Sequence, residues 1–588
     1  MIPGARWLFP AAADEQAAEL ARELHVHPLT ARVLVARGFS DPVAARRYLT
    51  PSLDHLHDPL MLAGMREAVA RIRAAITANE KILIYGDYDV DGTTSVVILK
   101  KALEMAGGQA DFHVPHRLRD GYGMRADVIQ QAAARGVSLI ISVDTGIRAS
   151  EVVQAARELG IDVIVTDHHL PEDTLPPAVA VINPNRPDCT YPDKNLCGAG
   201  VAFKLVQALI GTLDWPATKK ARVLESFLKL VSIATVADVV PLTGENRIIV
   251  KHGLAGLRSV HNVGLRALLE TAGFRDGATP TAGQVAFRVA PRINAAGRMA
   301  SADDVVHLFL TTDPQRARSI AGQLHQLNQE RQETEAEIVQ AILEECERVP
   351  VTAAQAALVF CGRDWHRGVV GIVASRLVER FCRPAIVLSE DAEGQAQGSG
   401  RSIGGFHLLE ALESMADLFT RFGGHKQAAG LGLAADRVEE FRLRLNAWAA
   451  ARLTADDFRP RVEIDAVATT DEIRDETVAE LLALGPFGFG NPSPVLAIRS
   501  AEAAGAAQVF KEKHLRACLR QNGRMLSVTA WRFVERIGEF APGSQVDAAV
   551  TVEVDDFALS RGLPGWGLIL KDVRPAVHGP SHQSSSTT

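Results

Sequence analysis

Thiols, membrane-length apolar runs and positive charge are all in short supply in this chain. Its six cysteines, Cys189, Cys197, Cys346, Cys361, Cys382 and Cys518, are scattered. Cys189 and Cys197 are too far apart for a CxxC pair and no zinc pattern completes, so the expectation is a reduced, cytoplasmic protein. No stretch is long and apolar enough for a membrane span. The opening MIPGARWLFPAAADEQ lacks the long apolar segment of a signal peptide. No internal repeat is evident, and aromatic residues make up only 5% of the chain. A net charge of −7 argues against a general nucleic-acid binder. It does not argue against an enzyme that gathers its arginines in one groove, because local field and net charge are separate quantities. At 588 residues and 47% hydrophobic content, the chain exceeds one core and predicts three to four domains.

What the chain does have is carboxylates in close order. Asp87, Asp89 and Asp91 stand in GDYDVDG, after the strand-like KILIY. Alternate side chains of an extended backbone point the same way, so all three can converge on one point. Like charges held together call for cations. A solvated acidic turn and a calcium loop are the alternatives. A helix-loop-helix calcium site would need Glu at the twelfth position, where this chain has Ile98. A second strand-like run, SLIISV, ends in Asp144-Thr145-Gly146, and a third, DVIVT, ends in Asp167-His168-His169. Farther on, SIATVADVVPL sets Asp238 in an apolar segment. Helical patterns alternate with these strands, which is the signature of a parallel α/β sheet. Ligand-binding residues gather beyond the carboxyl ends of such strands. Carboxylates with imidazole and without thiolate favour Mn²⁺ or Mg²⁺ over structural zinc. Four aspartates and two histidines suit two ions that share a carboxylate and hydrolyse a phosphodiester. Taken singly, Asp144 reads equally as a turn cap, Asp238 as a backbone acceptor and the His pair as ordinary surface.

GDYDVDG, VDTG, TDHH and ATVADVVPL resemble the successive motifs of the DHH phosphoesterase family. Their order and spacing are similar to those of its bacterial single-strand-specific 5′→3′ exonucleases. INAAGRM, WHRGVVGIVASRL, GSGRSIGGF, GGHKQAAG and PFGFGNPSPV extend the likeness over nearly the whole chain. The resemblance implies that Asp89, Asp91, Asp144, His168, His169 and Asp238 hold two divalent ions, Mn²⁺ or Mg²⁺. Asp144 is the expected bridging ligand, and Asp87 orients its neighbours or a water. It further implies a single-stranded DNA substrate, a role in recombination and repair, and release of 5′-mononucleotides. Single-strand-binding protein or a helicase are the implied partners of a monomer. Two other classes stay open. One is a phosphatase or oligoribonuclease of the same family, acting on short oligonucleotides or cyclic dinucleotides. The other is a non-catalytic single-strand-binding or scaffold protein, which should have lost ligands that are all present here. Endonuclease action is a lesser alternative.

Residues 1–60 read as a small helical lead-in, ending near Pro51 and Pro59, and 61–315 as the metal-bearing lobe. Residues 316–349 continue one long helix that starts near Asp313. It is either a strut between lobes or a surface helix of the first lobe. Residues 350–457 form a second α/β lobe, by resemblance the DHH-associated domain. There the glycine-rich GSGRSIGGF and GGHKQAAG read as turns. Ser399, Gly400 and Arg401 are a phosphate-clamp candidate, with an amide nest and a guanidinium fork; a plain tight turn is the alternative. His425 either contacts substrate or braces its turn. Arg298 is a second terminal-phosphate candidate and Arg292 a weaker one, unless they form ion pairs. Residues 458–575 turn to short strands, by resemblance an OB-like β-barrel. Phe510, Lys511, Lys513, His514, Arg516 and Trp531 are its strand-binding candidates, or else core aromatics and a solvated basic turn. Residues 576–588 read as a disordered tail.

Overall fold

The computed structural model describes residues 4–117, 119–352, 354–555 and 564–576; of the disordered tail expected at 576–588, Ala576 instead donates its N–H to the Gln545 carbonyl at 2.9 Å, and 577–588 lie outside the described residues. The chain divides into two compact units. One comprises 52–458 with 488–490, and the other 1–51 with 459–487 and 491–588.

In the larger unit KILIY forms β1 (Lys81–Tyr85), buried at every position after Lys81. A strand covered on both faces needs apolar residues on both, so it reads as a continuous run. Helix α1 (Val90–Met105) follows, then β2 (Gln109–His113), β3 (Val137–Val143), β4 (Asp162–Thr166) and β5 (Ala180–Ile182). The five strands are parallel, in the order β2-β1-β3-β4-β5. Ile82, Ile84, Leu139 and Ile141 bury toward one face, and Leu83, Tyr85, Ile140 and Val163 toward the other. The chain leaves β1 on one side and resumes on the other, so the strand order reverses between β1 and β3. Ligand crevices of open α/β sheets form at such a reversal. Helices α2 (Gly198–Gly211), α3 (Ala217–Ala237) and α4 (Ala290–Met299) complete the lobe.

Helix α5 (Pro314–Arg348) is a single helix of 35 residues, capped by Asp313. Ala317, Ile320, Ala321 and Leu324 bury in the core of the metal lobe, and Ile338 and Ile342 in that of the next lobe. The helix is therefore a strut. Midway its apolar stripe gives way to Asn328, Arg331 and Glu335, bonded to one another, with Glu335 also taking Arg376 at 3.0 Å.

The second lobe contains β6 (Leu358–Arg363), α6 (Val370–Phe381), β7 (Ala385–Glu390), β8 (Gln395–Arg401), β9 (Arg421–Gly424) and β10 (Ala428–Ala434). The sheet order is β9-β10-β8-β7-β6, parallel only between β6 and β7. GSGR is thus not a turn. It is the end of the central strand β8, and its backbone pairs with β7 and β10. GGHKQAAG is a turn, between β9 and β10.

The smaller unit holds β11 (Val495–Ala503), β12 (His514–Gln521), β13 (Arg524–Ala530), β14 (Gln545–Val554) and β15 (Trp566–Pro575). They run in the order β11-β14-β15-β13-β12, and β11 also pairs with β12 at Glu502↔Arg520 and Ala503↔Leu519. The sheet therefore curls back on itself. The expected lead-in does not stand alone: up to residue 51 it belongs to this unit. Leu29, Val33 and Leu34 bury with Leu484, Leu496 and Ile498, and Arg37 pairs with Asp465 at 2.7 Å. Apolar burial with residues more than 400 positions away, invisible to local pattern, decides its partner. Among the described residues no helix is long and apolar enough to cross a membrane.

Candidate metal centre

The carboxylates converge where the sheet order reverses. Asp89 caps α1, its Oδ1 accepting from the N–H groups of Asp91 at 2.8 Å and Gly92 at 3.0 Å. Asp91, in the first turn of α1, accepts from the first amides of α2: Gly198 N at 2.6 Å and Ala199 N at 2.8 Å. The helix end offers partial positive charge to that carboxylate. Gly198 is required here, since a Cβ would lie 2.5 Å from Asp144 Oδ1. Asp144 follows β3 with φ of 59°, a left-handed conformation that Asp tolerates better than most residues. Asp238 is the C-cap of α3, so it ends a helix and not a strand. A carboxylate at a helix C-terminus is unfavourable without a cation.

His168 Nε2 lies 3.3 Å from Asp144 Oδ1, 3.7 Å from Asp238 Oδ2 and 3.9 Å from Asp91 Oδ2. Three sets of ligand atoms fall within 4.8 Å of one another: Asp144, His168 and His169; Asp91, His168 and Asp238; Asp87, Asp89 and Asp144. Asp87, expected to orient its neighbours or a water, stands with Asp89 and Asp144 in one of these sets. Asp144 belongs to two sets, as a bridging carboxylate would. Asp87 Oδ1, Asp144 Oδ1, His168 Nε2 and Asp238 Oδ2 are buried without a hydrogen-bond partner. Buried polar atoms are normally paired, and these are all hard oxygen or imidazole donors of the kind that divalent cations take. The residues fit metal ions.

Electrostatics agree. Burial, and after it the neighbouring aspartates, holds the Asp144 carboxyl well above the usual carboxylate range. Asp87 and Asp238 are raised well above it in the same way. Burial also raises Asp91, against the pull of His168, and it lowers His168.

Sequence reasoning missed the role of Asp167. This fully buried carboxylate accepts from His168 N at 2.7 Å, His169 N at 3.1 Å and Ile147 N at 3.0 Å, and lies 2.7 Å from His169 Nδ1. It fixes the ring and leaves Nε2 for a ligand, as carboxylate–histidine pairs do at metal sites. Its signal was present, a third carboxylate at a strand end.

A second cluster is cationic. Burial, then Arg117, Arg401 and Arg331, pulls Arg298 down to about 10. Arg401 is lowered by burial and by Arg117. Arg298 Nη1 donates to the Gly368 carbonyl at 2.9 Å, and the Arg117 guanidinium lies 4.9 Å from the centre of the Tyr88 ring. Ser399 and Arg401, two apart on β8, both face the start of α6. A Cβ on Gly371 would lie 3.2 Å from Arg401 Nη2 and 3.4 Å from Ser399 Oγ. Gly400 points the other way, where a Cβ would meet Ile386 Cδ1 at 2.3 Å. Its role is packing, and the amide-nest reading fails because the ladder uses this backbone. Arg292 stays outside the cluster and donates to the Arg288 carbonyl. Arg117 went unnoticed in the sequence, although it follows β2 by four residues at the same sheet edge.

His425, at the β9–β10 turn, is lowered by burial, Arg148 and His169. With Tyr122, Thr145, Arg148 and His169 it lines a cavity of about 680 Å³. In the smaller unit His514 and Trp531 meet edge to face at 4.8 Å, beside Phe510. Trp531 is half-exposed and His514 buried, so this cluster is part core and part surface.

Three family models match: DHH family, N-terminal domain, over 81–235; DHHA1 domain over 351–451; and RecJ OB domain over 464–563. The single-stranded-DNA-specific exonuclease RecJ of Dickeya dadantii is 38% identical over 93% of this chain and 96% of its own length. The chain belongs to the RecJ family. The Bacillus subtilis RecJ is 40% identical, over 94% of this chain and 69% of its own length. RecJ of Thermus thermophilus in complex with Mn²⁺ superposes with a TM-score of 0.83 at 32% identity, covering 98% of this chain and 81% of that one. Its Mg²⁺ complex gives 0.77 at 31% identity, over 98% and 79%.

Proposed function

We propose that this chain is a metal-dependent, single-stranded-DNA-specific 5′→3′ exonuclease that releases 5′-mononucleotides in recombination and repair. The observation that carries this reading is the convergence of buried, partnerless carboxylate and imidazole atoms at one sheet edge, in a chain whose relatives are named single-stranded-DNA-specific exonucleases. Asp87, Asp89, Asp91, Asp144, His168, His169 and Asp238 would hold two divalent ions, Mn²⁺ or Mg²⁺. When bound, such ions activate water and stabilise the leaving oxygen of an in-line displacement.

The chain's own residues do the rest. Asp167 holds His169 in one orientation. Arg298, Ser399 and Arg401, with Arg117, grip the 5′-terminal phosphate and set the register, so the next phosphodiester lies against the carboxylates. His425 reaches the substrate from the second lobe. Hydrolysis breaks the bond from phosphorus to the 3′-oxygen. That oxygen leaves protonated on the released mononucleotide, and the shortened strand keeps a 5′-phosphate; no covalent enzyme intermediate is involved. A cytoplasmic helicase or single-strand-binding protein is the kind of partner that supplies such strands.

The test is Mn²⁺-dependent digestion of a long single strand labelled separately at its 5′ and 3′ ends, with duplex and dinucleotide controls. Early release of the 5′ label as a mononucleotide, with little duplex cleavage, is expected. Inertness on the strand with rapid dinucleotide hydrolysis would move the function to small-substrate phosphatases.

A further inference from the structure

Val239 follows Asp238 with φ of 60°, in the left-handed region that a β-branched side chain rarely enters. Its side chain is 60% exposed, so packing of that side chain does not hold the backbone there. Strain of this kind persists only where neighbouring structure over-determines it. The bonds that fix this segment lie just after it. The Pro241 carbonyl accepts from Asn246 Nδ2 at 3.1 Å, and Leu242 N donates to the Phe489 carbonyl at 2.8 Å.

Asn246 is fully buried in the first turn of the helix Gly244–Gly256. The same Nδ2 donates to the Asn195 carbonyl at 2.6 Å. Asn195 lies just before Gly198, whose N–H, with that of Ala199, holds the Asp91 carboxylate. Pro241 lies just after Asp238. One amide thus ties the two backbone segments that set Asp91 and Asp238, and these two carboxylates form one ligand set with His168. Carbonyls only accept, so the amide must turn its NH₂ to both. Its Oδ1 is left buried without a partner, a cost that native structures seldom carry. The helix start that presents Asn246 is itself locked. Asp193 accepts from Glu245 N at 2.7 Å and from Asn195 N at 2.9 Å. The buried Glu245 carboxylate takes Lys204 Nζ at 2.6 Å, Tyr191 OH at 2.5 Å and His57 N at 2.8 Å.

We propose that Asn246 is a positioning residue: by spanning the carbonyls of Asn195 and Pro241 it sets the spacing of Asp91 and Asp238, and with it the affinity of the ion held by Asp91, His168 and Asp238. It touches neither ion nor substrate. The set Asp87, Asp89 and Asp144 hangs on the ends of β1 and β3 and does not depend on this bridge. Groups that orient ligands in this way contribute to metal affinity without coordinating. The inference rests on the metal-centre reading and assigns to one of its two ions a control that the other lacks.

The experiment titrates Mn²⁺ into the full chain without DNA, with binding read by calorimetry and by the paramagnetic resonance signal of free Mn²⁺. The proteins are the parent, Asn246→Leu, Asp238→Asn, their double variant and Ile249→Ala. Leucine has nearly the size of asparagine and removes both the bridge and the unpaired oxygen. In Asn246→Leu one of the two Mn²⁺ sites should weaken by roughly ten-fold or more, while the other stays within about two-fold. Asp238→Asn should weaken the same site, and adding Asn246→Leu to it should then cost much less than in the parent, because the two changes act through one ligand. Ile249 is buried on the same helix and has no polar side-chain atom to bond either segment. Ile249→Ala should lower Tm and leave both affinities unchanged. If Asn246→Leu does not fold, Asn246→Ser, which fits the same space, is read in the same way. Unchanged affinity, equal weakening of both sites, full additivity with Asp238→Asn, or the same loss in Ile249→Ala would overturn the proposal. A parent that binds no Mn²⁺ at all would overturn the metal-centre reading and this inference together, whereas a parent that binds two ions and a variant that matches it would overturn the inference alone.

Discussion

The carboxylate cluster and the arginine cluster are like-charge assemblies in the same unit, and they are built in opposite ways. Asp87, Asp89, Asp91, Asp144 and Asp167 with its two histidines come from three neighbouring strand ends, so their convergence is a consequence of one sheet, and Asp238 joins them from the end of α3. Arg117, Arg298 and Arg401 come from a loop, a helix of the first lobe and a strand of the second. Each group is buried against its own charge; the proposed function pairs the first with divalent cations and the second with phosphate. Proximity along a sheet edge makes the first cluster rigid by construction. The second brings two lobes together: α5 packs in the cores of both, Arg376 and Arg331 share Glu335 midway along it, and Arg298 donates to the Gly368 carbonyl.

The largest effect should come from breaking the first cluster. Asp144→Ala removes the carboxylate that two ligand sets share, and a loss of roughly 10³-fold in kcat or more is expected, about 4 kcal/mol of transition-state stabilisation. Circular dichroism should be unchanged, and activity within a few-fold of the parent would reject the metal assignment.

Breaking the second cluster should do less and do it selectively. Arg401→Ala should reduce the preference for 5′-phosphorylated over 5′-hydroxyl ends by roughly ten- to a hundred-fold, as one charge-assisted contact is lost. Competition between the two kinds of end in one reaction measures this directly, and an unchanged ratio would remove Arg401 from the clamp.

The smallest effect sharpens the comparison through pH. The folded-state carboxyls of Asp87, Asp91, Asp144 and Asp238 are raised. A raised carboxyl favours folding only while protonated, so its contribution is present below the ordinary carboxylate range and lost as pH rises through the folded value. Metal ligation needs the ionised form and reverses the penalty. The rise in Tm on adding Mn²⁺ should therefore be larger at pH 8 than at pH 6, by about 5 °C at saturating metal. A shift independent of pH would separate these carboxyls from metal binding.

Much of the metal lobe is legible in sequence because its information is local. KILIY, SLIISV and DVIVT are parallel strands buried beyond their first residue, and each delivers its acidic residue within a few positions of its end. Asp238 was found by its unlikely place in an apolar segment, yet its position at a helix end was not. The arginine cluster was harder. Ser399 and Arg401 face α6 because alternate residues of β8 share one side, while Gly400 packs against Ile386; a sequence window shows glycines and does not distinguish a turn from a strand that needs close packing. Asp167 was passed over because its task is to accept hydrogen bonds from its neighbours, which composition does not reveal.

The sequence by itself determined the parallel sheet, the long helix and the order of the acidic and imidazole residues that converge, since each follows from short-range periodicity and strand-end placement. Only the tertiary structure decided that residues 4–51 pack with the C-terminal strands, that the long helix spans the cores of two lobes, and that Arg117 joins Arg298 and Arg401. Those arrangements depend on burial and charge between residues from tens to hundreds of positions apart, and no local pattern encodes them.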